Sequence, residues 1–421
     1  MLNITNMVKR FGVLAAFGLM LLPGTSVALV EKTIDSKPPD FTPVNVRMGS
    51  FVLKPGAELL YEHDDNIYSL NTLEVSDSIM HALLWANLES DWSRHALNFH
   101  FKADIARYQD FRDENYEDWM LGLDGRIDVK RDSNFNYLAS YLDTHEPRSS
   151  PDDVGGVTPT HFTVGAFNVG YLHTFNRLSA ALNYDRADTD YDNNVDGDGN
   201  ILLQDDRDRT RDEVILRFDY ELSGQRGIFF AAKMNNLDYK QKVDNRGFER
   251  SSDGYVYQGG FTWDRTGVLV GDLFLQYLKQ DTDDPRLLEI SGFGIGASLD
   301  WTPTDLTSVN LLVSHTPQVT TQSDSSGYFS SVYAINLEHK LRRNWLVNAK
   351  FSYTDNDYEV SGDFVDALTN TEVIRAGAYL SYLFNRNVYA SGGYVYTDQS
   401  ANEEVFEFKT NRWFVTVGFA F

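Results

Sequence analysis

The sequence of 421 residues has no cysteine, 11 prolines, 9 histidines, and 37 basic against 61 acidic side chains. Without cysteine there are no disulfide staples, no thiolate metal ligands and no thiol nucleophile. A formal charge of −24 leaves no basic cluster for a phosphate backbone, which excludes nucleic acid as a partner. The histidines are scattered, with no G-x-S-x-G, no H-E-x-x-H and no compact Ser/His/Asp set, so no enzyme is expected. Long apolar runs are missing too. Beyond the first 28 residues none approaches the ~20 residues that a spanning helix needs.

Aromatics are plentiful, at 14 % of the chain, which argues against disorder over most of its length. The N-terminus reads as an export signal: Lys9 and Arg10, an apolar run from Phe11 to Leu22, then small residues before Ala28. Residues 1–28 are therefore expected to be a cleaved signal peptide. Residues 29–50, with Lys37-Pro38-Pro39-Asp40-Phe41-Thr42-Pro43, read as an extended and disordered periplasmic leader.

From residue 51 onwards the chain alternates with a period of two. Residues 118–130 place Trp119, Leu121, Leu123, Gly125, Ile127 and Val129 on one face, with Asp118, Asp124, Arg126, Asp128 and Lys130 on the other. Residues 213–222 set Val214, Leu216, Phe218, Tyr220 and Leu222 against Glu213, Arg217, Asp219 and Glu221. Such alternation marks strands with one apolar face.

Eighteen such segments are expected, at about 51–62, 78–91, 94–108, 115–130, 133–146, 158–174, 177–190, 211–223, 227–241, 252–264, 267–281, 288–301, 305–316, 328–341, 344–358, 371–384, 387–398 and 406–421. Tight connections alternate with long acidic ones along this series. A soluble sandwich would also alternate along its strands. Strand length, the short/long rhythm and the even count instead favour an all-β fold: a transmembrane antiparallel up-and-down barrel spanning 51–421. Closure is required because an open sheet edge in hydrocarbon leaves peptide groups unpaired. The last strand would turn Trp413, Val415, Val417, Phe419 and the terminal Phe421 outward. A terminal aromatic there resembles the signal by which the barrel assembly machinery recognises such proteins.

A barrel of eighteen strands has a radius of about 18 Å, too wide for side chains to fill. It must hold water or a plug of loops, so conduction is the default expectation. The polar pathway would be lined by Lys102, Asp104, Asp124, Arg126, Asp128, Arg217, Asp219, Lys233, Lys350 and Arg375, joined by Glu58, Glu89, Asp185, Asp272 and Glu338. Such a mixture suits a hydrated polymer or sugar better than a small anion. No cofactor is expected. One acidic loop, Asp192, Asn194, Asp196, Gly197 and Asp198, matches the start of a calcium-binding loop, but Leu203 stands where the bidentate glutamate belongs. The same loop could simply be solvated, or share divalent cations with lipopolysaccharide phosphates.

Arg47-Met48-Gly49-Ser50-Phe51, with Pro55, followed by Tyr61-Glu62-His63-Asp64-Asp65-Asn66-Ile67-Tyr68, resembles the opening of the beta-barrel porin 2 family. Ser90-Asp91-Trp92-Ser93-Arg94-His95 and Asn115-Tyr116-Glu117-Asp118 extend the likeness. The resemblance implies a Gram-negative outer-membrane conduit tied to exopolysaccharide or capsule operons, with both barrel termini in the periplasm. It further implies a periplasmic polysaccharide export protein and an inner-membrane co-polymerase as partners, beside outer-membrane lipid and lipopolysaccharide. An uptake porin and a plugged adhesive barrel are the alternatives. Gating would fall to the external loops, of which 191–210 is the longest, or to the periplasmic partner.

Overall fold

The computed structural model describes residues 41–265, 267–318, 320, 325–360 and 367–421. The expected signal peptide and the first part of the leader lie outside these residues. Eighteen long strands form the wall: β1 Phe51–Asp64, β2 Asp77–Ser90, β3 Ala96–Tyr108, β4 Tyr116–Lys130, β5 Ser133–His145, β6 His161–Phe175, β7 Leu178–Tyr191, β8 Arg209–Ser223, β9 Arg226–Tyr239, β10 Ser252–Arg265, β11 Leu269–Thr282, β12 Ile290–Thr304, β13 Thr307–Gln318, β14 Ser325–Arg342, β15 Trp345–Val360, β16 Asn370–Leu383, β17 Val388–Ala401 and β18 Phe408–Ala420. Each falls on an expected segment, with ends displaced by at most three residues.

Every strand pairs antiparallel with its sequence neighbours. The sheet closes where β1 meets β18, from Gly56 opposite Ala420 to Asp64 opposite Arg412. Closure removes both edges, as hydrocarbon demands. At one end the connections are tight, such as 131–132 and 176–177; at the other they are long, such as 146–160 and 192–208.

The two faces differ as the alternation requires. Trp413, Val415, Val417 and Phe419 are exposed, whereas their neighbours Phe414 and Thr416 are buried. Exposed apolar residues recur at alternate positions around the ring, and this is the outward face. Aromatics collect at its two margins. Tyr257, Tyr277 and Phe293 form one cross-strand row towards the long connections, and Trp301 lies eight residues further along β12. Eight residues cover about 27 Å along a strand, or about 21 Å along a barrel axis at ~40° tilt. An apolar band of that height with aromatic margins matches a bilayer core.

The inward face is less uniformly polar than the alternation implies. Leu60, Tyr379, Val395 and Phe414 form one buried cluster on it, and Leu346, Leu383 and Tyr389 form another near the tight turns. Phe41 of the leader packs against the second cluster. Residues 46–48 pair with 51–53 through a turn in which Gly49 adopts φ 64°. The described part of the leader is thus folded onto the barrel, where the sequence had suggested disorder, because Phe41 finds an apolar seat.

Pairing is complete except at one place. Strand β13 follows β12 from the tight turn to the pair Ala297–Val313 and then leaves it. Beyond that point β13 stays paired with β14 up to Gln318–Tyr328. This hairpin end leans into the lumen: Phe329 packs on Leu278 and Ile290, and the Gln276 side chain donates to the His315 carbonyl. Space for it comes from β12, whose inward positions 292, 294 and 296 are all glycine. A Cβ on Gly294 would meet the His315 ring at 2.8 Å.

Candidate functional site: the lumen and its long-loop mouth

Residues two apart on a strand share a face and lie within reach of an arginine side chain. The inward wall uses this spacing to neutralise its own charge. Arg126 Nε lies 2.7 Å from Asp128 Oδ1, Arg217 Nη2 lies 2.8 Å from Asp219 Oδ1, and Arg211 Nη2 lies 3.0 Å from Glu213 Oε2. The Arg217 guanidinium also sits 3.9 Å from the centroid of the Phe229 ring. Between strands, Lys54 pairs with Glu89 at 2.5 Å, and Arg412 lies 3.8 Å from Glu62.

Other inward carboxylates are held by amides, hydroxyls and histidines. Asp124 accepts from the Asn98 amide at 2.9 Å and lies 2.6 Å from His100 Nε2. Asp104 accepts from the Tyr116 hydroxyl at 3.2 Å and contacts His81 Nδ1 at 3.0 Å. Asp185 accepts from the Asn168 amide at 2.6 Å, and Glu58 accepts from the Tyr389 hydroxyl.

Lys102, Lys233, Asp272, Glu338 and Lys350 stand at the same inward parity, Lys233 opposite Ile215 and Val256. Lys350 Nζ is 5.8 Å from the centroid of the Tyr379 ring, and Arg375 Nε donates to Thr397 Oγ1 at 3.4 Å. The wall therefore presents hydroxyls, amides and aromatic edges, with part of its charge cancelled in local ion pairs and the rest scattered in both signs. It carries no funnel of one sign.

The mouth at the long-loop end is built differently, from buried arginines that tie one connection to the next. Arg148 grips Glu114 with both ends of its fork, at 2.6 and 3.0 Å. Arg207 does the same to Glu146 at 2.7 and 2.8 Å, with Ser150 Oγ donating to the same carboxylate at 2.8 Å. Arg250 pairs with Asp244 at 2.7 Å and donates to the Thr320 and Ser325 carbonyls at 3.1 and 2.7 Å. Thr320 Oγ1 completes the circuit by donating to Asp152 Oδ1 at 2.9 Å. Connections 146–160, 192–208 and 240–251 are thus latched to each other and to the inward-leaning hairpin end. Sequence reasoning singled out 191–210 but missed the latch residues, whose partners lie 61 positions apart in the case of Arg207 and Glu146. The run of inward glycines at 292, 294 and 296 was the one readable sign that something packs there.

Burial holds the carboxyls of Asp153 and Asp208 above their ordinary 3.8, against the pull of Arg148 on the first and of the Tyr191 amide on the second. A folded pKa above the unfolded one means that the closed loops bind protons more tightly than the unfolded chain. The latch therefore gains stability as pH falls through those raised values towards 3.8. Single-channel recordings are expected to show fewer openings at pH ~4.5 than at pH ~7.

The calcium-like residues do not converge. Asp192 is turned to His161 at 2.8 Å, and Asn194 donates to the Thr158 carbonyl at 2.8 Å. Asp196 accepts the backbone amides of Asp198 and Asn200 within its own turn. Among the described residues no group of three His, Asp or Glu side chains is arranged to hold a metal ion.

Residues 38–421 match the family model described as "Putative beta-barrel porin 2". The chain belongs to that family. It is an outer-membrane β-barrel porin, a transport protein and not an enzyme. By shape the porin is similar to several solved structures. For Pseudomonas aeruginosa OccK2 (OpdF) in complex with glucuronate the identity is 9 %, with 88 % of this chain and 98 % of that one covered and a TM-score of 0.45. For Pseudomonas aeruginosa OpdL the values are 9 %, 89 %, 99 % and 0.42. For the unliganded ferric citrate transporter FecA the identity is 10 % and the TM-score 0.44; 83 % of the porin covers 60 % of that longer chain. No curated protein matches the chain.

Proposed function

We propose that this porin is the outer-membrane conduit for an exported exopolysaccharide or capsular polysaccharide. The supporting observation is a wide barrel whose inward charges are of both signs, many of them paired locally, among hydroxyls, amides and aromatics. A hydrated polymer sliding along such a wall meets many weak contacts and no deep electrostatic trap. A latched mouth suits this use, since the lumen of a barrel with a backbone radius of about 18 Å would leak if left open.

In this reading both termini and the tight turns face the periplasm. There Phe41 and the leader would meet a periplasmic polysaccharide export protein. The long acidic loops would face lipopolysaccharide outside. Barrel assembly machinery would insert the chain through its terminal strand.

A clean deletion in the native host tests the proposal. High-molecular-weight polysaccharide is expected to fall in the medium and accumulate in the periplasm, with recovery on restoring the gene. Unchanged secretion together with slower entry of small solutes would replace export by ordinary uptake.

A further inference from the structure

Inside the long-loop mouth lies a cavity of about 110 Å³, bounded by Thr189, Arg209, Asn235, Arg250, Ser252 and Gln280 among others. That is several times the ~10–15 Å³ one water needs, and suits a single small solute or sugar unit. Its charges decide what kind. Arg250 is neutralised by Asp244, and Arg211, also on the wall, by Glu213. The neighbouring mouth arginines are matched as well, Arg207 by Glu146 and Arg148 by Glu114.

Arg209 is the exception. Its side chain is buried, at 7 % exposure, and among the described residues no carboxylate forms an ion pair with it. It donates from Nη1 to the Arg207 carbonyl at 2.9 Å, and its guanidinium lies 5.7 Å from the Tyr191 ring centroid and 5.9 Å from that of Tyr239. Aromatic rings, the Tyr191 hydroxyl and one carbonyl compensate a buried cation poorly compared with a carboxylate. Arg209 therefore brings to the cavity a positive charge on a planar fork that no carboxylate pairs with, while the nearby buried Asp152 carboxylate accepts from Thr320.

Neutral groups surround this fork. Gln280 donates to Ser252 Oγ at 2.9 Å, which leaves its own oxygen as an acceptor. The Asn235 amide, which has no hydrogen bond among the described residues, and the Thr189 hydroxyl add donors and acceptors. Such groups match sugar hydroxyls, while the guanidinium matches a carboxylate in two-pronged fashion. A single unpaired guanidinium, with the Asp152 carboxylate nearby, also favours a monoanion over a phosphate dianion.

The geometry points to a binding site for an acidic sugar unit, with Arg209 receiving its carboxylate and Gln280 and Asn235 its hydroxyls. The inference rests on the conduit reading, and would make the transported polymer one that carries uronate-type residues.

The test uses the whole mature chain in detergent, with D-galacturonate, D-galactose and inorganic phosphate as probes and calorimetry as the readout. Galacturonate is expected to bind saturably and galactose at least about tenfold more weakly, with Arg209→Gln losing roughly 10- to 100-fold for galacturonate alone. Arg209→Lys, which keeps the charge but loses the fork, should fall between the two and serves if the glutamine variant does not assemble. Heat-modifiable gel mobility reports whether each barrel is intact.

Absence of saturable galacturonate binding to the unmodified chain overturns the assignment. So does equal binding of galactose, an unaltered affinity in both Arg209 variants, or displacement by phosphate at equal concentration, the last marking a general oxyanion site. Liposome swelling with neutral oligosaccharides separates this from the conduit. Flux without galacturonate binding removes the site and keeps the conduit, whereas binding without flux does the reverse.

Discussion

Replacing Arg207 by alanine is expected to turn a mostly closed barrel into one that opens often in planar bilayers. The guanidinium and the Glu146 carboxylate it grips are both almost wholly buried, at 4 % and 1 % side-chain exposure. Removing one member of a buried pair leaves the other charge desolvated and alone, at a cost of about 3–5 kcal/mol. The chain can avoid that cost by letting 192–208 swing away from 146–160, where Glu146 regains water.

Arg207 also stacks 4.0 Å from the centroid of the Tyr191 ring and accompanies the Arg209 segment, so its loss loosens the whole rim. The wall does not depend on this pair, because β7 and β8 remain joined over twelve aligned positions, from Arg209–Thr189 to Tyr220–Leu178. Expected readings are a higher open probability and greater sensitivity of cells to large antibiotics, with normal barrel mobility on gels. The double variant Glu146→Gln with Arg207→Ala should recover part of the closure, since no orphaned charge is left behind. An Arg207→Ala barrel that inserts normally and stays as closed as the parent would remove the latch from gating.

Placing an arginine at Leu273 is expected to cost about 2–4 kcal/mol of barrel stability in a bilayer. Leu273 is outward and 43 % exposed, and it lies midway along β11 between Leu269 near the tight turn and Tyr277 in the aromatic row. A charge at that depth must leave water for hydrocarbon. The same change at Leu306, 53 % exposed in the tight turn 305–306, meets headgroups and water and should be nearly silent. Folding yield into liposomes and guanidinium midpoints give the comparison. Equal losses at the two positions would mean that exposure alone, and not depth in an apolar slab, sets the cost.

The wall was legible because alternation is a local signal. Val214, Leu216, Phe218, Tyr220 and Leu222 announce one face of β8, and the structure leaves all five exposed. Strand count, order and closure follow from repeating that signal with short and long connections. The inward parity of Arg217 and Asp219 was readable in the same way, but their pairing with each other was not, since either could have reached across to another strand. The mouth was illegible for a stronger reason. Arg250 meets Thr320 and Ser325 across 70 and 75 residues through backbone carbonyls, which leave no trace in residue type. Phe41 was misread because a proline-rich stretch looks disordered until an apolar seat exists for it. Leu346, Leu383 and Tyr389 provide that seat from three strands at once.

The parting of β12 from β13 above Ala297 and Val313 falls within the apolar band, level with Leu273. Peptide groups that have lost their neighbour across the wall can persist beside water, headgroups or protein, and not beside acyl chains. On this side of the ring the protein itself must therefore provide the cover: Phe329 of the leaning hairpin packs on Leu278 and Ile290, and the Gln276 side chain donates to the His315 carbonyl. Phe293, 83 % exposed and four residues above Ala297, belongs to the ester and headgroup layer with Tyr277. The split thus makes the leaning hairpin part of the seal of the cylinder, a patch of side chains standing in where the ladder of peptide bonds stops short.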